Sequence, residues 1–253
     1  MGISLLASGS RIATSSEALG LPHMRLFMLL VSLAATGVGF FPQPADAQVH
    51  ELQPEVDAYI QLVPSTRLWI RADRVREEGN PIQTQIGASL QFNLKPLLRL
   101  RALEEKRPDL AKERVLTLAA GYRFLSTFGK LDEHRVDLEA SPRYPLVWKI
   151  VATDRNLFEL RFISREFAWR YRNRLTFERP VPAWSYTFFP YLRGEAYYSS
   201  LFNKWNETSL SAGAVFPIKK HVEFEPYLQY ENQTSTRRNQ QFDILGLTLR
   251  LFF

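Results

Sequence analysis

Alternation is the feature that most limits what this chain can become. In the last segment Leu245, Leu247, Leu249, Leu251 and Phe253 share one parity, while Ile244, Gly246, Thr248, Arg250 and Phe252 share the other. Successive strand side chains point to opposite faces, so this segment has one hydrocarbon face and one mixed face. The pattern recurs. In 82–94, Ile82, Thr84, Ile86, Ala88, Leu90, Phe92 and Leu94 oppose Gln83, Gln85, Gly87, Ser89, Gln91 and Asn93. In 135–144, Val136, Leu138, Ala140, Pro142 and Tyr144 oppose Arg135, Asp137, Glu139, Ser141 and Arg143. In 222–231, Val222, Phe224, Leu228 and Tyr230 oppose Glu223, Glu225, Gln229 and Glu231. Weaker copies span 57–63, 67–75, 114–125, 156–164, 168–180, 187–199 and 207–216. Together these make eleven predicted strands of about ten residues, a length suited to crossing a bilayer at a tilt.

Soluble antiparallel sandwiches also alternate. Three features separate the cases. The polar face is too rich in charge and amide for a sandwich core, while the apolar face repeats on nearly every strand, an inside-out arrangement that a barrel in lipid requires. Aromatics sit near strand ends on the apolar parity (Tyr122, Phe124, Tyr144, Trp169, Phe188, Tyr198, Phe216 and Phe253) and fit interfacial girdles. The closing strand ends on Phe253 and resembles the terminal aromatic strand read by the outer-membrane barrel assembly machinery.

An export signal accompanies the strands. Arg25 precedes an apolar run from Leu26 to Phe41, Pro42 and Pro44 break it, and Ala45-Asp46-Ala47 offers a small-residue cleavage site before Gln48. The alternative is a buried helix or an uncleaved anchor, but the run is short for a spanning helix. Residues 1–23 are Ser-rich and poor in net positive charge, so Met24 is the expected start. Residues 48–253 then form a single domain, and only a closed barrel would let it enter a membrane, since it has no apolar run long enough for a spanning helix. Cysteine is absent, which excludes disulfides, thiolate metal sites, thiol catalysis and an N-terminal lipid-bearing Cys.

Bacterial single-chain barrels have even strand numbers. Twelve strands are therefore expected, with ten as the alternative. A short strand could hide in Gln48–Glu55 or in Lys95–Lys112, although the latter, with Glu104-Glu105-Lys106-Arg107-Pro108-Asp109, reads as a loop or short helix. If Phe253 ends at the periplasmic side, this long connection is periplasmic too, against the usual habit of keeping long loops outside.

The formal charge is +6, and parity decides what it means. The inward parity holds Arg71, Arg123, Arg135, Arg143, Arg161, Arg170, Arg172, Arg174, Arg193 and Arg250 against Asp73, Asp137, Glu139, Glu159, Glu178, Glu195, Glu223, Glu225 and Glu231. A near-balanced interior implies cross-strand ion pairs and argues against a strongly anion-selective pore. Trp169-Arg170-Tyr171-Arg172-Asn173-Arg174 interleaves bases with aromatics, a pattern that can mark nucleic-acid binding. In an exported chain it reads instead as a luminal ladder facing Glu195, Glu223 and Glu225, either a structural salt-bridge set or a gate. The candidate lumen-lining cluster is Arg161, Arg170, Arg172, Arg174, Arg193 and Arg250 with Glu159, Glu195, Glu223 and Glu225.

Catalytic chemistry has little support. A lipid hydrolase or acyltransferase needs a Ser/His/acid set. No GxSxG occurs, His50, His134 and His221 fall near the mature N-terminus or strand boundaries, and Ser209 and Ser211 have no histidine at a matching depth. No cofactor, metal or nucleic-acid partner is expected, and the oligomeric state is open.

Several blocks carry a family resemblance: Val56-Asp57-Ala58-Tyr59, Arg67-Leu68-Trp69, Leu94-Lys95-Pro96-Leu97-Leu98-Arg99 and Ala120-Gly121-Tyr122-Arg123-Phe124. Arg155-Asn156-Leu157-Phe158-Glu159-Leu160-Arg161, leading to Trp169 through Leu175, is the most specific. Pro190-Tyr191, Glu195-Ala196-Tyr197-Tyr198, Glu225-Pro226-Tyr227 and Leu245-Gly246-Leu247 follow. Together they resemble the uncharacterised bacterial family catalogued as domain of unknown function 2490, over nearly the whole of 48–253. The resemblance implies an outer-membrane barrel and carries over no catalytic residues. The expectation is thus a cofactor-free transmembrane antiparallel up-and-down barrel in the outer membrane, in contact with its lipid. Three functions are open to it: a narrow channel for small polar solutes, a structural barrel closed by ion pairs, or a lipid-modifying enzyme.

Overall fold

The computed structural model describes residues 48–96, 107–164, 166–183, 186–234 and 240–253. The expected signal segment 1–47, with the Met24 start, lies outside the described residues. The strands are β1 Gln48–Val63, β2 Thr66–Glu77, β3 Asn80–Pro96, β4 Arg114–Thr127, β5 Glu133–Pro145, β6 Val151–Ile163, β7 Glu166–Glu178, β8 Val181–Ala183, β9 Tyr186–Ser199, β10 Lys204–Lys219, β11 Val222–Gln233 and β12 Gln240–Phe252. Each of the eleven periodic segments coincides with one long strand.

Antiparallel pairing runs from β1 to β7, passes from β7 to β9, and continues to β12. β1 and β12 then close the ring in parallel, from Gln48↔Gln241 to Tyr59↔Phe252. Of the twelve strands, eleven form the ring; three-residue β8 pairs only with β9. Neither place where a further strand could hide supplies one: Gln48–Glu55 is the first half of β1, and the described part of Lys95–Lys112 contains the end of β3, an irregular stretch and the 3-10 turn Leu110–Glu113. The odd ring has a direct consequence. In an alternating series an odd count points the first and last strands the same way, so an all-antiparallel closure is geometrically impossible. Parallel pairing is slightly weaker per residue. The seam gains from Gln61 N–H and Phe253 N–H, which donate to Phe253 O and Tyr59 O at 2.9 and 2.8 Å, and from the Tyr59–Phe252 ring stack at 5.1 Å.

Leu138, Leu210 and Leu228 point outward and are 49%, 52% and 66% exposed, while Glu159 and Glu223 point inward and are fully buried. This inverts the distribution of a water-soluble protein. On the outer face Trp169 stacks on Phe158 at 5.4 Å and on Tyr198 at 5.3 Å, and Trp205 meets Tyr198 edge-on at 5.8 Å. At the other end Phe188 stacks on Phe216 at 5.6 Å. Phe188 and Tyr198 lie on the same face of β9. Their ten-residue separation spans about 33 Å of strand, or about 25 Å of height at a tilt of about 40°, the height of an apolar band between aromatic girdles.

The odd count also puts the chain ends at opposite mouths. The N-terminal mouth, where Gln48 lies, carries short turns such as Glu78-Gly79, whose φ values of 48° and 85° match the two-residue hairpins that suit twisted strands. The C-terminal mouth carries Phe253 and the long connection from β3 to β4.

Where the barrel wall needs close approach, glycine supplies it. Gly246 lies opposite Tyr227 in the β11–β12 register, and a Cβ on Gly246 would stand inside the Tyr227 ring.

Candidate functional site

The ladder of β7 follows from its alternation. Arg170, Arg172 and Arg174 share a parity with Ala168 and Thr176 and project into the lumen, while Trp169 stacks on the outer wall. Four guanidiniums converge on Glu159 of β6: Arg123 and Arg170 in direct contact, Arg172 at 3.4 Å and Arg135 at 3.8 Å. Glu195 of β9 accepts from Arg172 at 3.0 Å and Arg174 at 2.9 Å. Arg172 also donates to Tyr197 Oη at 2.9 Å and lies over that ring at 4.5 Å. Arg161 Nη2 donates to Glu133 at 2.8 Å, beside Arg135.

A second group lies beside the seam. Glu225 of β11 holds Arg250 in direct contact and Arg193 at 3.0 Å, and accepts from Tyr191 Oη. Arg250 also reaches Glu223 at 3.5 Å. Arg71 joins Glu55 at 2.6 Å and Asp57 at 3.4 Å. Such multiply bonded pairs are the geometry in which charge is tolerated away from water; an unpaired ion there costs several kcal/mol.

The third group comes from the connection after β3. Arg107 is buried inside the C-terminal mouth, with Glu178 at 3.0 Å, Glu223 at 3.2 Å and the Phe189 ring 4.7 Å away. Asp109 caps the 3-10 turn through Ala111 N–H and accepts from Arg67 at 2.6 Å, and Lys112 reaches Glu178 at 2.6 Å. Burial pushes the Asp109 carboxyl up, but Arg67, Arg107 and Lys112 outweigh it and hold the group well below the usual carboxylate range. The described end of the connection, from Arg107 onward, thus lies in the lumen at the same mouth as Phe253.

A vestibule of about 460 Å³ occupies the N-terminal half, walled by acids such as Glu51, Asp73 and Glu231 on one side and by Arg123, Arg135 and Arg170 on the other. A chamber of about 140 Å³ lies deeper, between Arg143, Thr153, Arg174, Thr176 and Arg193, and shares Arg71, Arg174, Arg193, Glu225 and Arg250 with the vestibule.

All ten residues of the candidate cluster line the barrel interior, but as linked groups: Glu159 with Arg170 and Arg172, Glu195 with Arg172 and Arg174, and Glu223 and Glu225 with Arg250. Arg161 stands apart at Glu133. Sequence reasoning missed Arg107 and Asp109, because they lie in a connection without periodicity. It also missed Asp57, which opens the predicted segment 57–63, and Glu55 and Arg155, which extending 57–63 and 156–164 by one or two residues would have found. Ser211 Oγ donates to Gln229 at 3.1 Å, His221 bonds Phe252 O at 2.9 Å, and His134 lies on the outer wall beside Tyr122.

A family model described as "Protein of unknown function (DUF2490)" matches residues 112–242. The quoted blocks before residue 112 fall outside that match. None of the curated proteins matches. Among solved structures the chain is similar to one titled "Bacterial polysaccharide outer membrane secretin", at 8% identity and a TM-score of 0.46, over 73% of this chain and 63% of that one. The chain therefore spans less than two thirds of that protein's length.

Proposed function

This chain belongs to the DUF2490 family of proteins of unknown function, and from that premise we propose that it is an integral outer-membrane barrel whose lumen is held closed by ion pairs. An apolar outer wall between two aromatic rows supports the membrane setting. One observation carries the closed lumen: Arg107 enters the C-terminal mouth and binds Glu178 and Glu223 on β7 and β11, three strands apart around the ring, while Asp109 binds Arg67 on β2, across the mouth from β7. An eleven-strand barrel has a narrower interior than the 16- to 18-strand porins, and paired Arg and Glu side chains project into it.

The narrow-channel reading has in its favour the vestibule of about 460 Å³ on the N-terminal side and the void of about 530 Å³ at the C-terminal mouth. Planar-bilayer recording of the refolded protein decides between the two. Sealed barrels give a silent bilayer, with heat-modifiable gel mobility proving that the protein is folded. Steady conductance steps from the wild type overturn the closed lumen. Recovery of the protein as a soluble species overturns the membrane setting.

A further inference from the structure

The deep chamber is built for an anion. Register places Arg143, Thr153, Thr176 and Arg193 side by side on β5, β6, β7 and β9, with Arg155, Arg174 and Glu195 in the next row. Two short threonines therefore lie between long guanidiniums and line part of the chamber of about 140 Å³. That is room for several waters or one phosphate-sized ion. Nine bases and five carboxylates line it. The acids are engaged: Glu139 with Arg155 at 2.8 Å, Glu225 with Arg193 and Arg250, Glu178 with Arg107 and Lys112, Asp57 with Arg71, and Asp109 with Arg67.

Among the described residues, Arg174 Nε, Arg193 Nε and Thr153 Oγ1 are buried without a hydrogen-bond partner. Thr153 is 9% exposed and Thr176 8%. Each guanidinium spends its Nη2 on a glutamate, Arg174 on Glu195 and Arg193 on Glu225, which leaves Nε over. Unmet buried donors are rare in native proteins and call for an explanation. Arg174, Arg193 and Thr153 all line this one chamber, and guanidinium N–H groups with a hydroxyl are the kind of donor set that a tetrahedral oxyanion accepts.

We propose that this chamber binds a phosphate-type oxyanion, entering from the vestibule through their shared wall at Arg174 and Arg193. The site depends on the luminal geometry and stands whether or not the barrel conducts.

The test is titration of inorganic phosphate into the refolded full chain in detergent micelles, at ionic strength held constant with chloride, read by calorimetry and by the thermal unfolding midpoint. Saturable single-site binding is expected, weakened about tenfold or more in Thr153→Val and in Arg174→Gln, since each loses a hydrogen bond to a charged ligand. Thr153→Val keeps the shape of its side chain and leaves the ion pairs intact, so it remains informative if Arg174→Gln does not fold. Glucose 1-phosphate serves as a second probe. Tighter binding than inorganic phosphate assigns the anion to a larger head group reaching back into the vestibule, and equal or weaker binding assigns it to the free ion. No saturation beyond the chloride control means that water meets these donors and overturns the proposal. Binding unchanged in both variants places the anion elsewhere and overturns it as well. Because micelles suffice, conductance or solubility results bear only on the sealed-barrel reading.

Discussion

Arg107 Nη1 lies 3.0 Å from Glu178 Oε2, joining the long connection to the barrel wall. The arginine side chain is fully buried. Replacing it with alanine leaves Glu178 with Lys112 and Glu223 with Arg250. Arg107→Ala is therefore expected to lower stability by about 3 kcal/mol, read as a lower urea midpoint. It should also produce current events in a bilayer where the wild type is silent. A variant as stable and as silent as the wild type refutes the sealing role.

Glu159 is the charge around which four arginines gather. Glu159→Gln keeps the volume and removes the charge, so four guanidiniums lose their shared counter-ion. The expected loss is about 3–5 kcal/mol, measured by equilibrium unfolding. Glu51→Gln, at the vestibule rim, is the control and should cost far less.

The plug has a pH signature. Asp109 has a folded pKa below its unfolded value, because Arg67, Arg107 and Lys112 outweigh its burial. The unfolded chain then binds more protons than the folded one in this window, and stability rises with pH. The contribution is complete above about pH 4, the unfolded value, and shrinks as the pH falls from there towards the folded value. Urea midpoints recorded downward from about pH 5 should therefore drop less steeply in Asp109→Asn than in the wild type. Parallel slopes would count against this assignment.

Leu138 sits at the middle of β5 on the outer wall, 49% exposed. In lipid, Leu138→Arg should cost about 2–4 kcal/mol, as for a charge at the bilayer midplane. On the surface of a soluble protein the same change would fall within about 0.5 kcal/mol. Unfolding from lipid vesicles distinguishes the two.

The Tyr227 ring covers Gly246. Gly246→Ala forces a rigid ring off the wall and should cost about 1–3 kcal/mol. Combined with Tyr227→Ala, the glycine change should become nearly neutral, a coupling that a double-mutant cycle measures.

Much of this architecture is local. Alternation has a period of two because strand geometry does, so Arg170, Arg172 and Arg174 had to share a face, as did Leu245, Leu247 and Leu249. The same rule separates an apolar wall from a charged interior and makes eleven long strands countable from residue order alone. Three things had no local signature. The ring number was one: an even count is a property of related barrels, whereas this ring closes through a parallel β1–β12 seam that only the assembled sheet can reveal. The partners were another. Parity says that Glu159 faces inward, but not that β4, β5 and β7 each send an arginine to it, since that depends on register and on reach across a curved wall. The Arg107–Asp109 segment was the last. Arg107 and Asp109 lie in a segment with no periodicity, and their burial comes from long-range pairing with Arg67, Glu178 and Glu223. Facing is set by backbone geometry and can be read from the chain; pairing is set by where distant strands meet, and the tertiary structure alone decides it.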